Sequence, residues 1–145
     1  MTVPDRRGIT SALVDMLASA VAVPVGDNIA PEIEAQRPWV VVYSIPGGQY
    51  EGSFHYPESD ARFAYRIESV GRNREQCEWC GDNVRRTMLA RSSSGQFQVS
   101  FPATSPWLVN DRQPEGTLGG VVVEGSPPDK VFSFSENYIL CVTPS

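Results

Sequence analysis

Residues 65–91 read YRIESVGRNREQCEWCGDNVRRTMLAR, and within this stretch a strand pattern changes into a helix pattern at one glycine. Before Gly71, the apolar residues Tyr65 and Ile67 alternate with charged residues, which is the period-two pattern of a half-buried strand. After Gly71, apolar residues recur at helical spacing. The stretch therefore predicts a strand that leads directly into an amphipathic helix.

This second helix of the chain has its start signal at Asn73. The Asn73 side chain can accept a hydrogen bond from the first free backbone amides, and Gln76 lies three residues further on, as in a capping box. Arg85, Arg86 and Arg91 lie near the end of the helix, where cations favour the helix dipole. The residues predicted to face the sheet are Cys77, Cys80, Val84 and Met88.

The remaining elements follow from the same two periodicities. A first helix is predicted between a cap at Asp5 and a stop at Pro24, with the apolar stripe Ile9, Leu13, Met16, Leu17, Ala20 and Val21. The further predicted strands are an edge segment within residues 25–38, a central strand at Trp39–Ile45, and strands at Gln96–Phe101, Leu118–Glu124 and Val131–Val142. Predicted loops are an aromatic one at Gln49–Asp60 and a proline-rich one at Pro102–Gly116. We predict a single two-layer α+β domain, residues 1–145, with both helices packed on one face of a mainly antiparallel sheet.

Length, net charge and hydropathy limit the kinds of protein that this chain can be. A chain of 145 residues fits one ordinary domain. The net charge of −5 argues against nucleic-acid binding as the main function, because phosphate binding needs a basic surface. No run approaches the ~20 apolar residues of a membrane span, and the first residues lack the apolar stretch of a signal peptide, so we expect an intracellular protein without a membrane partner.

Charge is distributed unevenly along the chain. Residues 1–60 carry three basic and eight acidic side chains (−5), residues 61–91 carry seven and four (+3), and residues 92–145 carry two and five (−3). Complementary patches of this kind suit association between copies of one chain. The alternative is a solvated helix whose acids, Glu78 and Asp82, pair internally with Arg85 and Arg86.

We predict a subunit or partner interface from these patterns. Five arginines are expected to meet acidic residues of a neighbouring subunit, and reversal of Arg85 and Arg86 to Glu is expected to leave the melting of the monomer nearly unchanged. Aromatic residues in the Gln49–Asp60 loop suit protein contact better than base stacking, because acids surround them. The predicted interface residues are Arg72, Arg74, Arg85, Arg86, Arg91, Arg112, Tyr50, Phe54 and Tyr56.

A catalytic or metal-binding role is the weaker interpretation of this sequence. Cys77-x-x-Cys80 is the one motif that invites a thiol or metal role, but Cys77 lies at the fourth helical position beside acids, which would raise its pKa. Zinc would need four ligands, and only Cys141 and His55 remain. His55 lacks triad partners. We therefore expect buried core cysteines, no catalytic residues, no metal and no cofactor, with a small thiol or metal protein as the alternative.

The order of these features resembles the tail terminator proteins of long-tailed, non-contractile bacteriophages. The resemblance covers about the first two-thirds of the chain and depends on order, spacing and length. The closing strands suit the same plan. The segments that carry it are Pro4-Asp5 opening a helix, Val25-Gly26-Asp27, Pro38-Trp39-Val40-Val41-Val42-Tyr43, Gly47-Gly48, an acidic loop, the strand into Val70-Gly71-Arg72-Asn73-Arg74-Glu75-Gln76, and Val84-Arg85-Arg86.

The resemblance implies a homohexameric ring in the virion that caps the tail tube, stops its polymerisation and faces the head connector. Its partners would be the major tail tube protein and the connector or stopper, and DNA would pass through the lumen without specific binding. The loops Gln49–Asp60 and Pro102–Gly116 would lie at the two ring faces. Alternatives of similar size are the head-completion stopper, another minor tail protein, and a binding adaptor that uses the Tyr50–Tyr56 loop without forming a ring.

Overall fold

The structure is a computed structural model that describes residues 3–31, 38–51, 59–104, 106–117, 120–125 and 130–144. Within these residues the chain forms two helices and seven strands. In chain order they are α1 (Arg6–Ala20), β1 (Val25–Asp27), β2 (Trp39–Ser44), β3 (Gln49–Glu51), β4 (Asp60–Gly71), α2 (Arg74–Leu89), β5 (Trp107–Thr117), β6 (Val122–Glu124) and β7 (Val131–Pro144).

All described strands join one sheet. The strand order is β1-β2-β4-β7-β5, with β3 paired to β4 and β6 paired to β7. Every pairing is antiparallel except the parallel pairing of β1 with β2. β4 and β7 are the long central strands, so β1 and β5 lie at opposite edges of the sheet. The predicted fold class, α+β with a mainly antiparallel sheet, is confirmed.

Both helices cover the same face of the sheet. The buried side chains of β4 alternate, as the sequence predicts, and meet apolar residues from both helices in one core. Phe63, Tyr65, Tyr138 and Leu140 are fully buried there. The α1 stripe is confirmed from Ile9 to Leu17 and at Val21, while Ala20 is exposed. The α2 residues predicted to face the sheet are all buried: Cys77, Cys80, Val84 and Met88.

The junction of β4 with α2 depends on close backbone approach. A Cβ atom at Gly71 would lie 2.8 Å from the backbone nitrogen of Cys77, so only glycine lets the strand end this close to the first helical turn. Asn73 caps α2 by accepting from the Gln76 amide at 2.8 Å, as predicted. The Gln76 side chain, however, accepts from the Arg72 amide at 2.7 Å, one residue before the position that a capping box uses.

The predicted proline-rich loop Pro102–Gly116 is wrong from Trp107 onward. Trp107–Thr117 forms the long strand β5 on β7, with register shifts between Val109 and Asp111 and between Pro114 and Gly116. These irregularities interrupt the alternation that marks a strand in sequence. Pro114 lies on an edge strand and beside a register irregularity, the positions at which a sheet tolerates proline.

The predicted strand Gln96–Phe101 is also wrong, since only an isolated bridge joins Arg91 to Phe97. Residues 49–51 of the predicted aromatic loop form β3 instead, because they pair with β4. The predicted strand Leu118–Glu124 is confirmed only at Val122–Glu124, which form β6. Residues 118–119 lie outside the described part. The predicted strands at Trp39–Ile45 and Val131–Val142 are confirmed as β2 and β7. The edge segment predicted from Val25 to Pro38 is confirmed only at Val25–Asp27, which form β1, since a turn follows and residues 32–37 lie outside the described part.

Candidate functional site

The exposed side of α2 carries three arginines of the basic segment, Arg74, Arg85 and Arg86, and Arg72 lies just before the helix. Arg74 forms an ion pair with Glu78 one turn along the helix at 2.6 Å, and Arg86 donates to the Asn83 side chain at 3.0 Å. Arg72, Arg74 and Arg86 are all exposed. These three arginines remain accessible to a partner, and whether they meet a neighbouring subunit stays a prediction.

Arg85 contacts a buried acid of its own chain, and whether it also meets a neighbouring subunit stays a prediction. Its guanidinium donates to both carboxylate oxygens of Glu136, with Nη2 to Oε1 at 2.5 Å and Nε to Oε2 at 3.3 Å. Glu136 is only 7% exposed, and it also accepts from the Tyr138 hydroxyl at 3.1 Å. Arg85 additionally lies 3.6 Å from Asp82, which is one of the internal pairs of the alternative interpretation.

The buried network shifts the pKa of its members. The hydrogen bond with Glu136 raises the pKa of Arg85, and burial together with the Glu136 charge raises the pKa of Tyr138. The ion pair with Glu136 argues against the expectation that reversing Arg85 leaves the melting of the monomer unchanged. A carboxylate at position 85 would face the buried Glu136 carboxylate with no cation to compensate it.

Arg91 also contacts its own chain. Its guanidinium lies 3.0 Å from the Asp111 carboxylate and 3.9 Å from the centre of the Phe97 ring. Burial opposes ionisation of Asp111, but hydrogen bonds from the Gln113 side chain and the Arg112 amide, together with Arg91, lower the pKa of this carboxyl. Arg91 thereby ties the end of α2 to β5 while remaining exposed.

Arg112 is a buried cation, and the sequence patterns did not predict its place in a strand. It is 4% exposed and donates to backbone carbonyls of Val99, at 2.6 Å, and of Thr87, at 3.3 Å. It also lies 4.4 Å from the centre of the Phe97 ring. Among the described residues no carboxylate forms an ion pair with it. Burial, and then the nearby charge of Arg91, lower the pKa of Arg112.

A groove opens beside this cation at the β5 edge. Its volume is about 520 Å³. Leu108 is 53% exposed there, and Arg91 and Arg112 both stack on the Phe97 ring that forms part of the wall. No sequence signal predicted this groove, because its walls come from two segments whose predicted structure is wrong. Its main lining residues are Phe97, Phe101, Trp107, Leu108, Val109 and Arg112.

The opposite edge of the sheet presents a tight turn after β1. A Cβ atom at Gly26 would collide with the Ile29 carbonyl oxygen, and Asn28 adopts a positive φ of 65°. The Asn28 amide donates to the Val42 carbonyl at 2.8 Å, which holds the turn against β2. Asp27 is exposed beside it, and Ile29 is 67% exposed. The turn therefore displays an apolar side chain next to a carboxylate.

The predicted aromatic contact surface is described only at Tyr50. This residue is exposed on β3, and its ring meets the Phe63 ring edge-on with centroids 6.0 Å apart. Phe54, Tyr56 and His55 lie outside the described residues. Whether Tyr50 contacts a partner stays a prediction.

The two α2 cysteines are buried core residues, as predicted. Cys77 donates its thiol to the Ser69 carbonyl at 3.2 Å. Burial is the largest cause that raises the pKa of Cys77 to about 12 and of Cys80 to about 11. Both thiols are thus protonated near neutral pH, which does not suit a nucleophilic or redox role.

The described part of the chain contains no cluster of metal-ligating side chains. No group of three or more His, Cys, Asp or Glu side chains there is placed to hold a metal ion. No helix in those residues is long and apolar enough to cross a bilayer.

Comparison with known proteins assigns the chain to no family. No protein-family model matches the chain, and no curated protein matches it significantly.

Proposed function

We propose that this chain is a structural subunit of a bacteriophage tail. It forms a homohexameric ring that caps the tail tube, stops tube polymerisation and joins the tail to the head connector. In this role the chain is not an enzyme and needs no cofactor. It is assembled in the bacterial cytoplasm and remains in the neck of the virion.

One observation carries this proposal: the order and spacing of elements that resemble tail terminators occur in one continuous two-layer domain. A capped helix is followed by an edge strand, a central strand, a Gly-Gly turn, a long strand and the Gly71 junction into a second capped helix. The closing strand β7 pairs with β4 along eleven residue pairs, so the last third of the chain completes the sheet that the first two-thirds begin.

The size of the chain is compatible with a ring around DNA. A compact domain of 145 residues has a radius of gyration near ~15 Å, hence a diameter of roughly 38 Å as a sphere. Six touching spheres enclose a hole about as wide as one sphere, which leaves room for a duplex roughly 20 Å across. The net charge of −5 disfavours retention of a duplex in transit.

The proposed role also names the proteins that the ring would contact. One ring face would contact the major tail tube protein, and the other would contact the head connector or stopper. Ring contacts between copies can be weak in isolation and completed at a tube end, because binding to the tube stabilises the assembled state by mass action. A monomer in solution is thus compatible with a hexamer on the tube.

Tube capping tests the proposal directly. The purified chain is added to the tube protein encoded in the same genome while the tube polymerises, and the products are viewed by electron microscopy. We expect shorter tubes that end in a ring of sixfold symmetry, whereas tube protein alone grows without a length limit. Tubes of unchanged length and bare ends would contradict the proposal. Binding only to isolated connectors would instead favour the head-completion stopper.

A further inference from the structure

The two edges of the sheet carry complementary features. The β1 edge ends in the turn Asp27–Ile29, where an exposed carboxylate adjoins an isoleucine that is 67% exposed. The β5 edge carries the groove of about 520 Å³. Because β1 and β5 lie at opposite ends of the strand order, the two features lie at opposite edges of one subunit.

The turn is held in one conformation and exposes an apolar side chain. Gly26 permits its close backbone approach, and the hydrogen bond from Asn28 to Val42 anchors it on β2. Ile29 is the most exposed of the large apolar side chains in the described ranges. A rigid turn loses little conformational entropy on binding, so the burial of Ile29 is opposed by only a small ordering cost.

The groove offers an apolar lining beside a buried cation, Arg112. Its lining is mainly aromatic and aliphatic, with Gln96, Ser100, Thr104 and Arg112 as polar members, and its volume of about 520 Å³ lies within the ~300–1,000 Å³ typical of binding pockets. Two guanidinium groups stack on Phe97, while Asp111 is the one acid paired with them in the described residues. The Arg112 charge therefore has no carboxylate partner within the described part of the subunit.

We propose that the turn Asp27–Ile29 of one copy docks in the β5 groove of the next copy, with Ile29 against Leu108 and the Asp27 carboxylate towards the Arg91–Arg112 pair. This inference rests on the proposed ring and names the contact that closes it. A contact between opposite edges is heterologous, so it repeats from copy to copy until the ring closes rather than stopping at a dimer.

Two surface substitutions and a matched control test the contact. Ile29→Ser and Leu108→Ser are compared with Val122→Ser, which alters a side chain that is 49% exposed on β6. Val122 pairs with Ser133 of β7, ten positions from Thr143, the β7 partner of Leu108. All three are expected to melt like the wild type, because none of these side chains is buried. We expect Ile29→Ser and Leu108→Ser each to raise the concentration needed to cap tubes at least tenfold, and Val122→Ser to leave it unchanged.

Cross-linking identifies the occupant of the groove. In a Cys141→Ser background, a chain carrying both Ile29→Cys and Leu108→Cys is oxidised on tube ends and separated without reductant. We expect ladders of this chain up to the hexamer, and no ladder when either new cysteine is present alone.

The results of these experiments test the proposed groove contact separately from the proposed ring function. Normal tube capping by Ile29→Ser, together with no cross-link in the chain that carries Ile29→Cys and Leu108→Cys, would overturn the inference while the proposed function stands. Cross-links from position 108 to the tube protein would also overturn it, since the groove would then hold the tube. If the wild-type chain forms no ring on tubes, both the function and this contact fail.

Discussion

The guanidinium of Arg85, on the exposed side of α2, covers the buried carboxylate of Glu136 on β7. These residues are 51 positions apart in the sequence. Glu136 also accepts from Tyr138, so one ion pair and one hydroxyl satisfy an acid that lies at the edge of the core. Arg85 therefore contributes to the stability of the subunit, while its neighbour Arg86 lies on the open surface.

Reversing the two arginines separately tests this division. Arg85→Glu is expected to lower the free energy of unfolding by about 2–4 kcal/mol, because it leaves the Glu136 carboxylate unpaired and opposed by a second one. Arg86→Glu is expected to change it by less than about 0.5 kcal/mol. Urea unfolding measures both. Equal and small losses would mean that Glu136 does not depend on Arg85.

Replacing Arg112 by lysine tests the buried cation. A lysine cannot reach the Thr87 and Val99 carbonyls with one planar group, so we expect a loss of roughly 2–3 kcal/mol in the free energy of unfolding. Hydrogen exchange should accelerate at the Gln98 amide, which donates to the Ala90 carbonyl in the same region. Arg86→Lys is the matched control and should change neither. Unchanged exchange at Gln98 would show that other contacts hold this segment.

The buried thiols predict a loss of stability in alkaline solution. Cys77 and Cys80 have pKa values raised from 9.0 to about 12 and about 11 in the folded chain. Since the folded state holds these protons more tightly than the unfolded state, the two thiols leave the free energy of unfolding unchanged well below pH 9 and lower it progressively as pH rises from 9 to the folded values. By pH 10 we expect a loss of about 1 kcal/mol for each thiol.

Urea unfolding between pH 8 and pH 10 checks the thiol prediction. The double variant Cys77→Ala with Cys80→Ala should show a flatter pH dependence than the wild type, whatever its absolute stability. Tyr138, whose pKa is also raised by burial, affects the range above its ordinary value of 10.0. An identical slope in both proteins between pH 8 and pH 10 would contradict the burial of the thiols.

Two glycines should respond in opposite directions to alanine. Gly71→Ala would place a Cβ 2.8 Å from a backbone atom of α2, so we expect a loss of about 2 kcal/mol or more as the strand–helix junction shifts. Gly8 lies in α1, where an added methyl group would have no neighbouring atom within 4 Å, and Gly8→Ala should stabilise the chain by up to ~1 kcal/mol. Thermal unfolding of the two variants compares them, and a tolerated Gly71→Ala would refute the close approach.

Short-range patterns predicted both helices, the alternation of β4 and the burial of the α2 face. Those features depend on residues three or four positions apart in a helix and two apart in a strand, so the amino-acid order is sufficient to predict them. The Asn73 cap and the Gly71 break belong to the same class, because each acts on backbone groups within a few residues.

The strand β5 and the groove beside it were decided by tertiary structure. β5 has two register irregularities and a proline, so its alternation is lost locally, and only pairing with β7 makes it a strand. Phe97, Val99 and Phe101 alternate like a strand, yet Val99 is held through its carbonyl by Arg112, and Phe97 packs against the same guanidinium.

The roles of the charged residues depended on the fold in the same way. Composition predicted a basic segment after residue 60, but not that Arg85 would cover Glu136 or that Arg112 would be buried at the end of α2. Each contact joins residues more than ten positions apart, and in an unfolded chain nothing holds such residues together. The sheet brings them within hydrogen-bonding distance, and burial then makes a charged pair far more consequential than the same pair in water.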